Sequence, residues 1–383
     1  MSKKLYSIMA VILLASMILA ACTPAATPTA TQAPAEPTTP PVVQPTTPPA
    51  EPTAVPPTEV PTVAPTAAKT FLGCLVTDVG GINDKSFNAT AWKGLEDAQS
   101  QLGVKSQYLQ STQQTDYEKN LQAYMDQGCD LIVTVGFLLG DATKAAAEAN
   151  PNQNFAIVDY AYDPVIPNVD ALTFATDQAA FLAGYLAAGV SKTGKVGTFG
   201  GLQIPTVTIF EDGFYMGVQQ YNKDNNKNVQ VLGWDPVKKT GLFAGGFNDQ
   251  TQGKTIAQNL MQEGADIIMP VAGAVGLGAA AAIKDAGNGY VIGVDTDWTV
   301  SASEYSSITL TSVEKVINVA VFDAMKSVVD GTFKGGNYVG TLENNGVRIS
   351  PFHDLDSVVP ADLKTKLDSL KADIIAGKVK TTP

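Results

Sequence analysis

The sequence predicts an α/β fold of two doubly wound parallel-sheet lobes joined by a hinge, and three observations carry that expectation. Short apolar runs alternate with helical patterns of ten residues or more from residue 69 to the end, the pattern of parallel strands connected by crossover helices. The series also divides into two units of the same kind, with "FLAGYLAAGVSKTG" at the seam. About 315 residues make up this body, enough for two domains with substantial cores.

The elements follow in order. The expected strands are "FLGCLV" (71–76), "KSQYLQ" (105–110), "DLIVTVG" (130–136), "NFAIVDY" (154–160), "ALTFAT" (171–176), "KVGTFGG" (195–201), "VQVLGW" (229–234), "ADIIMPVA" (265–272) and "GYVIGVD" (289–295). Helices are expected between them at 87–102, 116–127, 140–149, 177–190, 207–223, 250–263 and 274–286, with one more at 311–330. The N-terminal lobe is expected to span 69–176 and to be completed by about 296–332. The C-terminal lobe is expected to span 177–295 and to be completed by about 333–383.

The first 22 residues read as an export signal: Lys3 and Lys4, a short apolar core, then "LAAC" ending at Cys22. The apolar stretch is too short for a membrane span, and small residues before a cysteine resemble a bacterial lipobox, which makes Cys22 the expected lipidation site. Residues 23–68 hold 14 of the 23 prolines and no Lys, Arg, Gly or aromatic residue. That composition cannot offset ordering entropy by burial, so it reads as a disordered tether. Cys74 and Cys129 lie in apolar runs and read as small buried thiols rather than a disulfide.

A net charge of −12 argues against nucleic acid as a partner. The single histidine, His353, lies far from the motif turns; with no metal-ligand cluster and no Ser or Cys nucleophile motif, catalysis is not expected. No cofactor is expected either, because "VGGIND" fits neither G-x-G-x-x-G nor the Walker pattern. In open parallel sheets ligands bind beyond the carboxyl ends of the strands, and here those ends carry acids: Asp78, Asp159, and Asp295 with Asp297. With Asp84 in the first turn, this acidity disfavours phosphate and suits a neutral, donor-rich ligand such as a sugar or a nucleoside. Aromatic residues after strands or in early helical turns, Phe87, Phe137, Phe214, Trp234, Phe243 and Phe247, offer faces for stacking a flat base. The glycines of the loop at "PVAGAVGLG" let its backbone, Ala272 and Gly273 included, come close to a ligand or to the opposite lobe.

"TDVGGINDKSFNATAWKGLEDA", "NFAIVDY", "EDGFYMGVQQYN", "GADIIMPVAGAVGLGA", "VIGVDTDW" and "LTSVEKVINVAV" together resemble the basic membrane protein family of bacterial lipoproteins, in collinear order over nearly all of 70–350. The resemblance implies a type I periplasmic-binding-protein fold that closes on a nucleoside, a purine above all, and delivers it to an ABC permease and ATPase at the outer face of the cell membrane. It further implies Asp78 and Asp159 at the base edge, Phe87 as one stacking ring, and Asp295 with Lys315 around the ribose. Asn83, Asp84 and Asn88 lie in the matched motif without an assigned role. The second ring is left open among Phe214, Phe243 and Phe247, because "KKTGLFAGGFNDQTQGK" is longer than the family pattern. A sugar-binding receptor of the same fold is the first rival reading, and a nucleoside-processing enzyme the second.

Overall fold

The protein is described by a computed structural model over residues 69–383. Cys22 and the tether at 23–68 lie outside the described residues. The first part of the chain runs β1 (Leu72–Thr77), α1 (Phe87–Leu102), β2 (Lys105–Leu109), α2 (Tyr117–Gln127), β3 (Leu131–Val135), α3 (Gly140–Ala149), β4 (Phe155–Val158) and β5 (Val169–Phe174). The second runs α4 (Thr176–Val190), β6 (Lys195–Gly200), α5 (Pro205–Asn225), β7 (Gln230–Leu232), β8 (Trp234–Asp235), β9 (Thr240–Gly241), α6 (Gln250–Gln262), β10 (Ile267–Val271), α7 (Ala274–Ala286) and β11 (Tyr290–Asp295). A last part adds α8 (Trp298–Ser301), β12 (Thr309–Lys315), α9 (Ile317–Val329), β13 (Gly336–Gly340), β14 (Val347–Ile349) and α10 (Ala361–Ile375).

Two six-stranded sheets result, ordered β13-β5-β4-β3-β1-β2 and β14-β12-β11-β10-β6-β7. Within these two sheets every pairing is parallel except β12 with β14, and β8 with β9 forms a separate antiparallel pair. The central strands are buried on both faces by helices, which is why β1, β3, β4 and β10 read as unbroken apolar runs rather than alternating ones. Helix α4 is hydrophobic all round because 13 of its residues are buried. It lies so close to α5 that a Cβ at Gly217 would sit 2.0 Å from the Phe181 carbonyl oxygen.

Three expectations need correction. The helix expected over 311–330 is instead strand β12 followed by α9. All seven residues of β12 are buried, so it shows neither strand alternation nor a polar stop before the helix. Lys315 accordingly ends a strand and does not open a helix. Because β12 joins the second sheet and β13 joins the first, residues 309–315 belong with the C-terminal lobe and 336–340 with the N-terminal one, against the expected division at these two strands, while α9 packs on α1 of the first lobe and β14 joins the second sheet. The chain therefore crosses between lobes three times, before α4, between β12 and α9, and after β13. Finally, Cys74 and Cys129 form a disulfide, with Cα atoms 6.0 Å apart.

Candidate functional site

The carboxyl ends of β1, β4, β11 and β12 meet between the lobes. They enclose a cavity of ≈ 50 Å³, smaller than the ~300–1,000 Å³ of small-molecule sites, as the two lobes are drawn close together around it.

Asp78 follows β1 directly. Its Oδ1 accepts from the Gly80 amide at 2.8 Å and from Asn88 Nδ2 at 2.9 Å, while Asn88 Oδ1 is buried without a partner. Burial pushes the Asp78 carboxyl above the usual range, against those two hydrogen bonds. Space behind it is short, since a Cβ at Gly136 would lie 2.9 Å from Asp78 Oδ2; Gly136, at φ 114°, is a position that excludes other residues on both counts.

Asp84 serves the helix rather than the cavity. Its Oδ1 accepts from the Ser86 and Ala89 amides at 2.9 and 3.0 Å and its Oδ2 from the Asn88 amide at 2.8 Å. It thereby satisfies amides that the start of α1 leaves free. Burial nevertheless raises its pKa to about 7.

Asp159 and Asp295 occupy corresponding places, just past β4 and at the end of β11. Both adopt left-handed backbone conformations, φ 66° and 70°. That conformation costs an L-residue about 1–2 kcal/mol, and the strain aims both carboxylates at one ammonium. Lys315 Nζ is 2.5 Å from Asp159 Oδ2 and 3.9 Å from Asp295 Oδ1. It also lies 5.0 Å from the centroids of the Phe87 and Phe210 rings, so two aromatic faces from opposite lobes flank one cation. Burial raises the pKa of both carboxyls, and the Lys315 charge opposes that rise. Removing the lysine would leave two buried carboxylates uncompensated.

The cavity wall brings together Asp78, Asp84, Phe87, Asn88, Phe137, Asp159, Phe247, Ala272, Gly273, Asp295 and Lys315. Several of the expected residues are elsewhere. Asn83 is exposed in the turn before α1, and Phe214 is wholly buried in the core. Phe243 also faces away, edge-on to Trp234 with centroids 6.0 Å apart. Asp297 caps α8 through the Thr299 amide and contacts His353 Nε2 at 2.7 Å. Phe210, Ile204, Thr206, Val207, Gly80, Gly136 and Leu138 line the wall but were not anticipated. The helix that follows β6 begins at the carboxyl end of that strand, so its first turns face the cavity; Pro205 marks that start in the sequence.

Comparison with known proteins agrees with this architecture. The family described as "Bmp: ABC transporter substrate-binding protein PnrA-like" matches residues 72–381. An "ABC transporter nucleoside-binding protein BmpA" of Lactococcus lactis is 35% identical over 80% of this chain and 87% of its own length. An uncharacterized lipoprotein of Pyrococcus horikoshii is 33% identical over 76% of this chain and 70% of its own. Among solved structures, a solute-binding protein of an ABC transporter system from Aeropyrum pernix superposes with a TM-score of 0.74 at 28% identity, covering 82% of this chain and 94% of that one. With two parallel sheets, a cavity between them and a family match spanning nearly the whole described chain, this protein belongs to the Bmp family of ABC transporter substrate-binding proteins.

Proposed function

We propose that the protein captures a nucleoside, and specifically a purine nucleoside, in the cavity between its lobes. The observation that carries this reading is the pair of rings, Phe87 from the first lobe and Phe210 from the second, each 5.0 Å from Lys315 Nζ. Their centroids are thus no more than twice that distance apart, and a flat base between them gains stacking on both faces, roughly 1–3 kcal/mol for each. Asp78 and Asn88 stand at the base edge, Asp159 with Asp295 and Lys315 at the ribose hydroxyls. Asp84 holds the turn that presents them. Phe137, Phe247, Ala272 and Gly273 close the wall. Carboxylates accept hydroxyl and amine protons, and their density repels phosphate, so the nucleoside rather than the nucleotide is the ligand. The nucleoside-binding name of the Lactococcus relative supports the same class.

Titration calorimetry with inosine, guanosine, adenosine, cytidine and free D-ribose tests this. Saturable heat is expected from the purine nucleosides, weakened about 10-fold or more by Phe87→Ala. Silence from every nucleoside, or equal binding of D-ribose alone, overturns it.

On this reading the loaded protein docks on an ABC permease driven by its ATPase, from the outer face of the membrane. No helix among the described residues is long and apolar enough to cross a membrane; the proposed attachment is a lipid on Cys22 at the head of the tether. The disulfide suits an oxidising compartment, and the Pyrococcus relative is named a lipoprotein. Mass spectrometry of the N-terminal peptide from the membrane fraction is expected to find an acylated cysteine at position 22. A free, unmodified N-terminus there rejects the anchor.

A further inference from the structure

Ser86 stands immediately before α1, where serine is among the preferred capping residues. Its hydroxyl makes no capping hydrogen bond, because Asp84 takes the amides of Ser86, Asn88 and Ala89. The side chain instead leaves its own lobe. Ser86 Oγ lies 2.7 Å from Asp295 Oδ2 and 3.0 Å from the Val294 carbonyl oxygen, and the residue is fully buried. Val294 O already receives Trp298 Nε1 at 3.0 Å. Asp295 Oδ2, by contrast, has Ser86 as its single hydrogen-bond donor among the described residues.

We propose that Ser86 is a positioning residue and the buried half of a latch between the lobes: it fixes Asp295 across the closed cleft, turning Oδ1 toward Lys315 and the ligand. Donor and acceptor sit on different lobes, so rotation about the hinge breaks the bond, and its free energy counts only toward the closed state. Two further contacts cross nearby. Lys85 Nζ meets Glu304 Oε1 at 2.7 Å, and Asn248 Nδ2 donates to the Val79 carbonyl. The Lys85–Glu304 pair is exposed on both sides and such pairs contribute little. A dry hydroxyl-to-carboxylate bond counts for more, because removing the hydroxyl leaves the acceptor buried and unpaired in the closed state. The assignment rests on the reading that a nucleoside's ribose hydroxyls meet Asp295 and Lys315.

The test compares wild type with Ser86→Ala by stopped-flow binding of inosine and by ligand-free melting. Energy transfer between dyes on cysteines placed at exposed Gln101 and Lys238, one in each lobe, gives the fraction closed. Ser86→Ala is expected to release inosine about 10-fold faster, with an unchanged association rate, a lower closed fraction and an unchanged ligand-free melting temperature. Wild-type release and closure in the variant overturn the proposal. So does a melting temperature that falls in step with binding, which would make Ser86 merely part of the fold. If wild type ignores inosine, the nucleoside reading fails by itself. The ligand-free closed fraction then decides the latch, a decrease in Ser86→Ala supporting it and equality with wild type removing it.

Discussion

Phe210 and Phe214 show what one helical turn decides. Four residues apart on α5, they share a helix face, and nothing in their local sequence distinguishes them. Their difference is distance from the helix start. Both are fully buried, Phe210 at 1% and Phe214 at 0% exposed; Phe210 is nearer Pro205, where α5 leaves the carboxyl end of β6, and lines the cavity, whereas Phe214 does not. Phe210→Ala is therefore expected to weaken nucleoside binding about 10-fold or more. Phe214→Ala should cost about 3–5 kcal/mol of stability through the void it leaves, with the affinity of the folded fraction near wild type. Calorimetry and thermal melting on the two variants separate these roles, and the idea fails if Phe214→Ala damages affinity more than Phe210→Ala. The acids were easier to find than the rings. Asp78, Asp159 and Asp295 end strands, and strand ends are legible from apolar runs. The left-handed backbone at Asp159 and Asp295 was not, because φ leaves no mark on composition.

At the scale of elements, most strands and helices were readable because their periods differ, and the failures came where burial erased the period. Strand β12 lies between β11 and β14, and even Glu314 and Lys315 within it are buried, so "TLTSVEK" ran on into the apolar α9 pattern. The disulfide escaped for a related reason. Cys74 and Cys129 are 55 residues apart, and only the parallel register of β1 with β3, Gly73 opposite Leu131, brings them together. That bond closes a long loop in the unfolded chain, which in the chain-entropy account stabilises the fold by about 4 kcal/mol. Replacing both cysteines by alanine should lower the melting temperature markedly while leaving nucleoside affinity unchanged, since neither sulfur lines the cavity. An unchanged melting temperature would show that the cross-link constrains nothing the packing does not already hold.

The whole molecule carries an unusual number of buried acids, and that shapes its response to pH. Burial raises the carboxyl pKa of Asp78, Asp159, Asp177 and Asp295, takes Asp170 to about 6 and Asp84 to about 7, and lifts Glu211 well above its ordinary value. In each case the folded protein holds a proton more tightly than the unfolded chain does. The associated stability is fully present below the unfolded value near 4 and is lost as pH rises through the folded one. Stability should therefore fall between pH 5 and pH 8, where many proteins are near their maximum. Cavity acids are poor probes of this effect because Lys315 and helix amides oppose the shifts and ligand binding depends on them. Glu211 is the clean case. It is 0% exposed, both of its carboxyl oxygens lack hydrogen-bond partners among the described residues, and it lies outside the cavity wall. Glu211→Gln keeps the shape and removes the ionisation, so its melting temperature should decline less than that of wild type over this range, with the two proteins closest at pH 5. Parallel melting curves from pH 5 to 8 would mean that Glu211 finds a compensating partner, such as buried water, and that the acidity of this fold is neutralised at some other place.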